Sequence, residues 1–343
     1  MNIAALLKKL LDSSSLSPDD IQEFMQACLS GQVADVQLAA FLALMQMKGE
    51  SIEELTTAAK VLLSQALPID LGDNLMDIVG TGGDARHSFN VSSVSSFVAA
   101  AAGLRVAKHG NRSASSRSGS SDFLLQAGFK LQLSTDALRQ CLNECNITFL
   151  FAGHFHQALR HVQAVRQALG IRSFFNLLGP LINPAHVKRQ VVGVYAHHYL
   201  HPIAQVLANL GSERCLVVHA QDGLDEISIS AKTDVVEYHQ GQRREWTIDP
   251  RDYDCFHDGL DAIVVKTPAE SLTMAESVFA GEKGPARDIV LLNTAAALYC
   301  AGACDDIACG ITKAAAAIDE HKALRCFMQL RDLTQRLESR QHE

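Results

Sequence analysis

No cysteine pair in this chain is spaced as CxxC. The nine cysteines stand apart, at 28, 141, 145, 215, 255, 300, 304, 309 and 326. Several sit inside apolar helical or strand patterns, as buried thiols do. That excludes a zinc ribbon and a disulfide framework, and it points to a reducing cytoplasm. No uninterrupted apolar run reaches membrane-spanning length. The opening "MNIAALLKKLLDSSSLSPDD" is broken by Lys8 and Lys9, and no small-residue cleavage site follows, so it does not read as a signal peptide. There is no internal repeat and no low-complexity linker. Positive charge is also short, with 30 Lys and Arg against 38 Asp and Glu, a net charge of −8. Such a balance argues against a general binder of nucleic acid or membrane surfaces.

What is present is the composition of an ordinary folded protein. Hydrophobic residues make up 48% of the 343 and charged ones 20%, enough for one large domain with a smaller companion or for two ordinary domains. Residues 1 to about 66 read as helices only. Ser17, Pro18 and Asp20 make a helix start. Ser51 and Glu54 have capping-box spacing. "VQLAAFLALMQM" has the apolar spacing of a buried helix.

Near residue 75 the pattern changes. Short β-rich runs appear, each trailed by a helical segment: "MDIV" (76–79), "LRVA" (104–107), "TFLF" (148–151), "VVGVY" (191–195), "CLVVH" (215–219) and "AIVVK" (262–266). Alternation of this kind predicts crossover units and a largely parallel sheet. "DVVEYHQGQRREWTI" (234–248) reads instead as an antiparallel hairpin around Gly241. With no linker between them, the helical and α/β parts pack directly, with a cleft between them.

The most unusual stretch is "KHGNRSASSRSGSSD" (108–122). It extends an interval, from Asp84 to Asp122, that holds no acid between its ends but carries Arg86, Arg105, Lys108, Arg112 and Arg117. In an acidic chain this is a local field for an anion. Upstream, the strand "MDIV" runs into Gly80-Thr81-Gly82-Gly83-Asp84, where glycines let backbone N–H groups approach a ligand. "NVSSVSSFVAAAA" then enters a helix at Ser92 or Ser93, and a helix N-terminus suits phosphate. Lys108 follows the next strand. GTGG alone is a weak signal, and the pattern is neither a Walker loop nor a dinucleotide fingerprint. Two such loops on one sheet edge argue for a phosphate site.

Two further features accompany it. Asp225 and Glu226 in "DGLDEIS" (222–228) follow a strand. An isolated acidic pair is usually a solvated turn, but beside a phosphate site it suits Mg²⁺. Arg166 and Arg172 lie in or beside an apolar helix, where they either grip a substrate carboxylate or make structural ion pairs. "HHYLH" (197–201) reads as surface histidines rather than a metal site. Trp246 needs only a packing role.

These pieces, with "VRQALGIRSFFNLLGPLINP" (165–184) and "RDIVLLNTAAALYCAG" (287–302), closely resemble the anthranilate phosphoribosyltransferases of tryptophan biosynthesis, in order, in spacing and over nearly the whole chain. The resemblance implies an α/β fold of the nucleoside phosphorylase/phosphoribosyltransferase type. In it a small N-terminal helical domain, 1–70, completed by part of 165–190, joins a large α/β domain, 71–343, with a mostly parallel central sheet. It implies a cytoplasmic homodimer through the helical domains, binding neither nucleic acid nor membrane. It also implies transfer of phosphoribose from 5-phosphoribosyl diphosphate (PRPP) to the amine of anthranilate, with Mg²⁺, two ions per subunit.

Residue by residue, the resemblance gives Gly80, Gly82, Gly83, Asp84, Ser88, Asn90, Ser92, Ser93, Lys108 and Ser120 to PRPP. It gives Gly80, His109, Asn111, His156 and Arg166 to anthranilate, and Ser92, Asp225 and Glu226 to the metal. No catalytic base is assigned, since an aromatic amine is neutral at pH 7; His109 is the one candidate. The chain departs from the family at Ser93, where Thr is common, at Gly153, where Pro is common, and at the basic Arg86 and His87. A pyrimidine nucleoside phosphorylase of the same fold is disfavoured by Asn111 in "KHGNR" and by the Asp225–Glu226 pair. A non-catalytic nucleic-acid-binding relative is disfavoured by the acidic charge and the intact motifs.

Overall fold

Capping decides where the first helices begin. In the computed structural model, which describes residues 2–112 and 119–341, α1 (Ile3–Leu11), α2 (Pro18–Leu29), α3 (Asp35–Lys48) and α4 (Ile52–Ser64) precede any strand. The Ser17 side chain accepts the Asp20 N–H and Asp20 accepts the Ser17 N–H, with Pro18 at the first helical position. Ser51 and Glu54 repeat the arrangement for α4. Glu54 is fully buried and also accepts the Leu16 N–H at 2.8 Å and pairs with Lys48 at 2.8 Å. It therefore ties the start of α2 and the end of α3 to α4. On α3, Leu38, Phe41, Leu42 and Met45 face inward at helical spacing, while Val36 and Met47 remain 77% and 83% exposed.

From Leu75 strands and helices alternate: β1 (Leu75–Gly80), α5 (Val91–Ala101), β2 (Arg105–Gly110), α6 (Ser120–Gln126), α7 (Thr135–Cys145), β3 (Ile147–Phe151), α8 (Ala152–Phe155), α9 (Arg160–Leu169), α10 (Phe174–Leu178), β4 (Arg189–Gly193), α11 (Leu200–Asn209) and β5 (Arg214–Ala220). The hairpin β6 (Thr233–His239) and β7 (Gln242–Ile248) follows, then α12 (Pro268–Phe279), α13 (Pro285–Cys300), α14 (Ile307–Asp319) and α15 (Lys322–Gln341). The seven strands form one sheet in the order β3-β2-β1-β4-β5-β6-β7, parallel through β5 and antiparallel at the hairpin. Gln240 and Gly241, both at positive φ, make the two-residue turn that matches the strand twist.

One expected strand is absent. Residues 262–266 do not join the sheet. Asp261–Ile263 is a single 3₁₀ turn, and Val264 makes one antiparallel bridge to Ser88. Phe89 donates to the Ile263 carbonyl and Val265 to that of His87, both at 2.9 Å. Ile263 and Val265 are buried by this pairing, which explains the apolar run. The Thr267 cap of α12 ends the segment before a strand can extend.

The sheet separates two cores, and the alternation along each strand assigns its residues to one or the other. Val191, Leu216, Val218 and Val235 pack with α5, α7 and α13 to α15. Val192, Cys215, Val217 and Val236 pack with α1 to α4 and α11. Val162, Val165, Phe174 and Leu177, from α9 and α10, belong to the second core and touch α2, α3 and α4. The chain leaves β1 toward β2 through α5 on one face, and leaves β4 toward β5 through α11 on the other. β1 and β4 stay paired to their carboxyl ends, Gly80 beside Gly193, but the connections that leave them go to opposite faces, which opens a crevice at the switch point.

Candidate active site

The crevice is a cleft of about 280 Å³. One wall comes from the ends of β1 and β2 and the start of α5. The other comes from α9 and α10. The loop after β5 closes the floor.

The first wall begins with Gly80, Gly82, Gly83 and Asp84, all on the cleft. Gly82 and Gly83 have φ of +65° and +80°, a conformation natural to glycine. The Gly82 N–H donates to Asp225 Oδ2 at 2.7 Å. A Cβ on Gly80 would sit 2.6 Å from that oxygen, and one on Gly193 would collide with the Asp225 carbonyl. Two glycines thus make room for one carboxylate. Ser88, Asn90 and Ser92 also reach the cleft. The helix α5 starts at Val91 with Asn90 before it, slightly earlier than the serines suggest, and Ser271 Oγ donates to Asn90 Oδ1 at 2.7 Å. Ser93 does not line the cleft. Its side chain is wholly buried on the inner side of α5.

Lys108 is buried at the cleft. Its Nζ donates to the Ile78 carbonyl and, at 3.3 Å, to Ser92 Oγ. Burial lowers its pKa, while Asp77 and Glu226 oppose that shift. Asp77, an acid inside the apolar run "MDIV", was not singled out from sequence. It accepts from Asn183 Nδ2 at 2.8 Å and from the His109 N–H at 3.3 Å, and burial pushes it up to about 6.

His109 Nδ1 lies 3.2 Å from the Gly179 carbonyl. A carbonyl only accepts, so Nδ1 carries the hydrogen and Nε2 is a bare acceptor. Among the described residues that buried Nε2 has no partner, and the residue lines the cleft. Burial first, then His156 and Lys108, push the imidazole down to about 3, which keeps it neutral. His156 stands behind it, ring centroids 5.4 Å apart, with Nε2 at 2.8 Å from the Ile182 carbonyl. It is not part of the cleft wall.

Asn111 and Ser120 bracket the serine-rich stretch and both line the cleft. Ser120 Oγ donates to the Asn111 carbonyl at 3.3 Å, and Gly110 has no Cβ to obstruct Ser120. Residues 113–118 between them, including Arg117, lie outside the described residues.

On the opposite wall, Arg166 lines the cleft with its guanidinium carbon 5.5 Å from the Phe175 ring centre. Burial lowers its pKa, and among the described residues no carboxylate pairs with it. Arg172 does something different. It donates to the Gly83 carbonyl at 2.8 Å and is not on the wall. Gly153 is exposed, packs beside the Phe151 ring and is also off the wall. Arg86 donates to the Asp222 carbonyl, and His87 reaches the cleft.

Asp225 and Glu226 lie on the floor with Asp84 nearby. Burial, then repulsion from Asp84 and Glu226, raises Asp225 well above the usual carboxylate range. Burial raises Glu226 to about 7, with Asp84 adding to it and Lys108 opposing it. Crowded, poorly solvated carboxylates of this kind fit a divalent cation. Among the described residues no three His, Cys, Asp or Glu side chains form a complete metal cage. A cation here would take its remaining oxygens from water and substrate, the usual habit of Mg²⁺. Elsewhere His197 pairs with Asp234 at 3.6 Å and His201 with Glu245 at 3.4 Å on the surface. No helix among the described residues is long and apolar enough to cross a membrane.

Comparison with known proteins gives the same order of parts. Residues 4–66 match the helical bundle domain of a glycosyl transferase family, and residues 72–324 match its a/b domain. An anthranilate phosphoribosyltransferase of Legionella pneumophila (strain Lens) is 59% identical over 97% of this chain and 96% of its own length. The crystal structure of the Thermus thermophilus anthranilate phosphoribosyltransferase superposes with a TM-score of 0.89 at 35% identity, covering 98% of this chain and all of the other. The Saccharomyces cerevisiae enzyme in complex with PRPP and Mg gives a TM-score of 0.88 at 27% identity, covering 97% and 98%.

Proposed function

The chain belongs to the anthranilate phosphoribosyltransferases of this glycosyl transferase family, and from that membership we propose that its cleft transfers 5-phosphoribose from PRPP to the amine of anthranilate, releasing diphosphate. The observation that carries the reading is the pairing of opposite walls. A glycine loop, a helix start and a buried lysine face an arginine with no carboxylate partner among the described residues.

The residues divide the work. The N–H groups of Gly83 and Asp84, the first turn of α5 and Lys108 hold the phosphate oxygens. Arg166 holds the anthranilate carboxylate, and Asn111 borders the acceptor. The bare His109 Nε2 accepts a hydrogen bond from the amine and so orients the nitrogen toward the anomeric carbon. With a pKa pushed to about 3 it is a weak base, and a neutral aromatic amine needs no stronger one. Most of the acceleration then comes from placement, as the C–N bond forms, the C–O bond to diphosphate breaks, and the strongly acidic anilinium so formed gives its extra proton to water. Asp225, Glu226 and Ser92 would hold Mg²⁺, whose chemistry is to neutralise charge on the diphosphate.

The same proposal takes two Mg²⁺ ions per subunit, a helical unit of residues 1–70 completed by part of 165–190, an α/β unit of 71–343, and a cytoplasmic setting. The nine free thiols support that setting. It also takes a homodimer through the helical unit, supported by the exposed Leu11, Val36 and Met47.

The test of the site is Arg166→Ala. Loss of anthranilate fluorescence should show KM for anthranilate raised about tenfold or more, the value of one charge-assisted carboxylate contact, with KM for PRPP nearly unchanged. An equal rise in both would remove Arg166 from the acceptor wall.

A further inference from the structure

Arg172 sits at the rim of the cleft, exposed and six residues beyond Arg166. Its Nη1 donates to the Gly83 carbonyl at 2.8 Å, and its guanidinium carbon lies 4.6 Å over the Tyr195 ring. Tyr195 is buried. Its N–H donates to Thr81 Oγ1 at 3.1 Å, and its ring meets that of Tyr199 at 5.2 Å. The Tyr199 hydroxyl donates to Glu50 Oε2 at 2.9 Å, in the turn between α3 and α4. A line of contacts therefore runs from the helical core to the glycine loop, and Arg172 is its last member.

The peptide it grips matters. The carbonyl and the following N–H of a trans peptide point in opposite directions. Arg172 lies off the cleft wall, whereas Gly83 and Asp84 are on it. With the Gly83 carbonyl drawn to Arg172, the Asp84 N–H turns the other way, toward the cleft. Among the described residues neither the Gly83 nor the Asp84 N–H has a partner, while the Gly82 N–H is already taken by Asp225.

We propose that Arg172 is a positioning residue: it fixes the Gly83–Asp84 peptide so that the unpaired Asp84 N–H faces the phosphates of PRPP, without touching either substrate. The proposal rests on the reading of the cleft as a PRPP site. It assigns this arginine to the donor substrate, although it stands on the segment that supplies the acceptor wall. The Tyr195 ring packs against the guanidinium, which makes the ring part of the device.

The experiment is calorimetric titration of PRPP with Mg²⁺, and separately of diphosphate with Mg²⁺, onto the full chain, Arg172→Met, Arg172→Lys and Tyr195→Leu. Both phosphate ligands should bind about tenfold more weakly to Arg172→Met. Arg172→Lys should recover part of the loss, and Tyr195→Leu should show a smaller weakening. KM for anthranilate at saturating PRPP should stay within about twofold. If Arg172→Met does not fold, the soluble Arg172→Lys still has to bind diphosphate more weakly than the unaltered chain. Unchanged phosphate affinity in the folded variants overturns the assignment. So does a rise in anthranilate KM alone, since that would mean direct contact with the acceptor. Failure of the unaltered chain to bind PRPP would instead reject the functional reading beneath it.

Discussion

Glu237 illustrates how single side chains hold this molecule together. It accepts from Arg214 at 2.7 and 2.9 Å, from Arg244 at 3.1 Å, from the Tyr299 hydroxyl at 3.1 Å and from Trp246 Nε1 at 3.2 Å. Trp246 thus has a bond as well as a packing role. Replacing Glu237 with leucine strands the mostly buried Arg214, so denaturant unfolding should show a loss of about 3 kcal/mol; a change below about 1 kcal/mol would mean that Arg214 finds water or another acceptor. His109 supplies a pH dependence. Its folded pKa is depressed from 6.5 to about 3, so its contribution to stability is complete above pH 6.5 and is lost as pH falls from there toward 3. Asp77, raised to about 6, acts in the opposite sense, contributing below 3.8 and losing that as pH rises through 6. The comparison of wild type with His109→Asn isolates the histidine: between pH 6.5 and 4 the wild type should lose stability more steeply, and parallel curves would contradict the buried neutral assignment. The cleft positions legible from sequence were those near the carboxyl ends of strands, such as Gly80 and Lys108, in the loop after one, Asp225, or in the first turn of a helix, Ser92. Ser93 was not separable from Ser92, because one helical step turns a side chain by about 100° and here turns it into the core. Arg172 lies beyond the left-handed turn at Gly170, φ +62°, so its direction could not be taken from that of Arg166.

At the scale of elements, strands were legible where β-branched runs alternated between two cores. The run at 262–266 has the same composition, yet it pairs with 87–89 instead of the sheet. Its apolar residues are buried by a loop, and composition alone does not distinguish loop from sheet as the covering surface. The packing of α13 on α14 has a clearer signature. A Cβ on Gly310 would sit 2.7 Å from Ala295 Cα and 2.8 Å from its carbonyl oxygen, both in a buried helix. Gly310→Ala should therefore destabilise the fold by roughly 2 kcal/mol through overpacking, despite the better helix propensity of alanine. Thermal melting followed by circular dichroism decides it, and a rise in melting temperature would show that the helices separate at little cost.

For the whole molecule, the governing arrangement is one sheet between two cores, with a switch point where the connections after β1 and β4 leave to opposite faces. The helical bundle shares its core with α9 and α10, so the wall that carries Arg166 belongs to the same packed body as residues 3–64. The wall that carries the glycine loop and Lys108 belongs to the carboxyl ends of β1 and β2. A helical part, an α/β part and a cleft between them were legible from the change of pattern near residue 75, and the return of part of 165–190 to the helical part only from the family resemblance; the contacts joining the walls, from Glu50 through Tyr199 and Tyr195 to Arg172, were not legible, since they bring together residues far apart in sequence. The crowded carboxylates Asp225 and Glu226 give a further expectation: removing Mg²⁺ with a chelator should abolish turnover, and Glu226→Gln should raise the Mg²⁺ concentration needed for half-maximal rate. The most direct measurement is simultaneous assay of anthranilate consumption and diphosphate release by the purified chain with PRPP and Mg²⁺. Transfer of phosphoribose to anthranilate requires one diphosphate released for each anthranilate lost, and neither without Mg²⁺. Diphosphate release that does not depend on anthranilate, or no reaction despite bound PRPP, would contradict it.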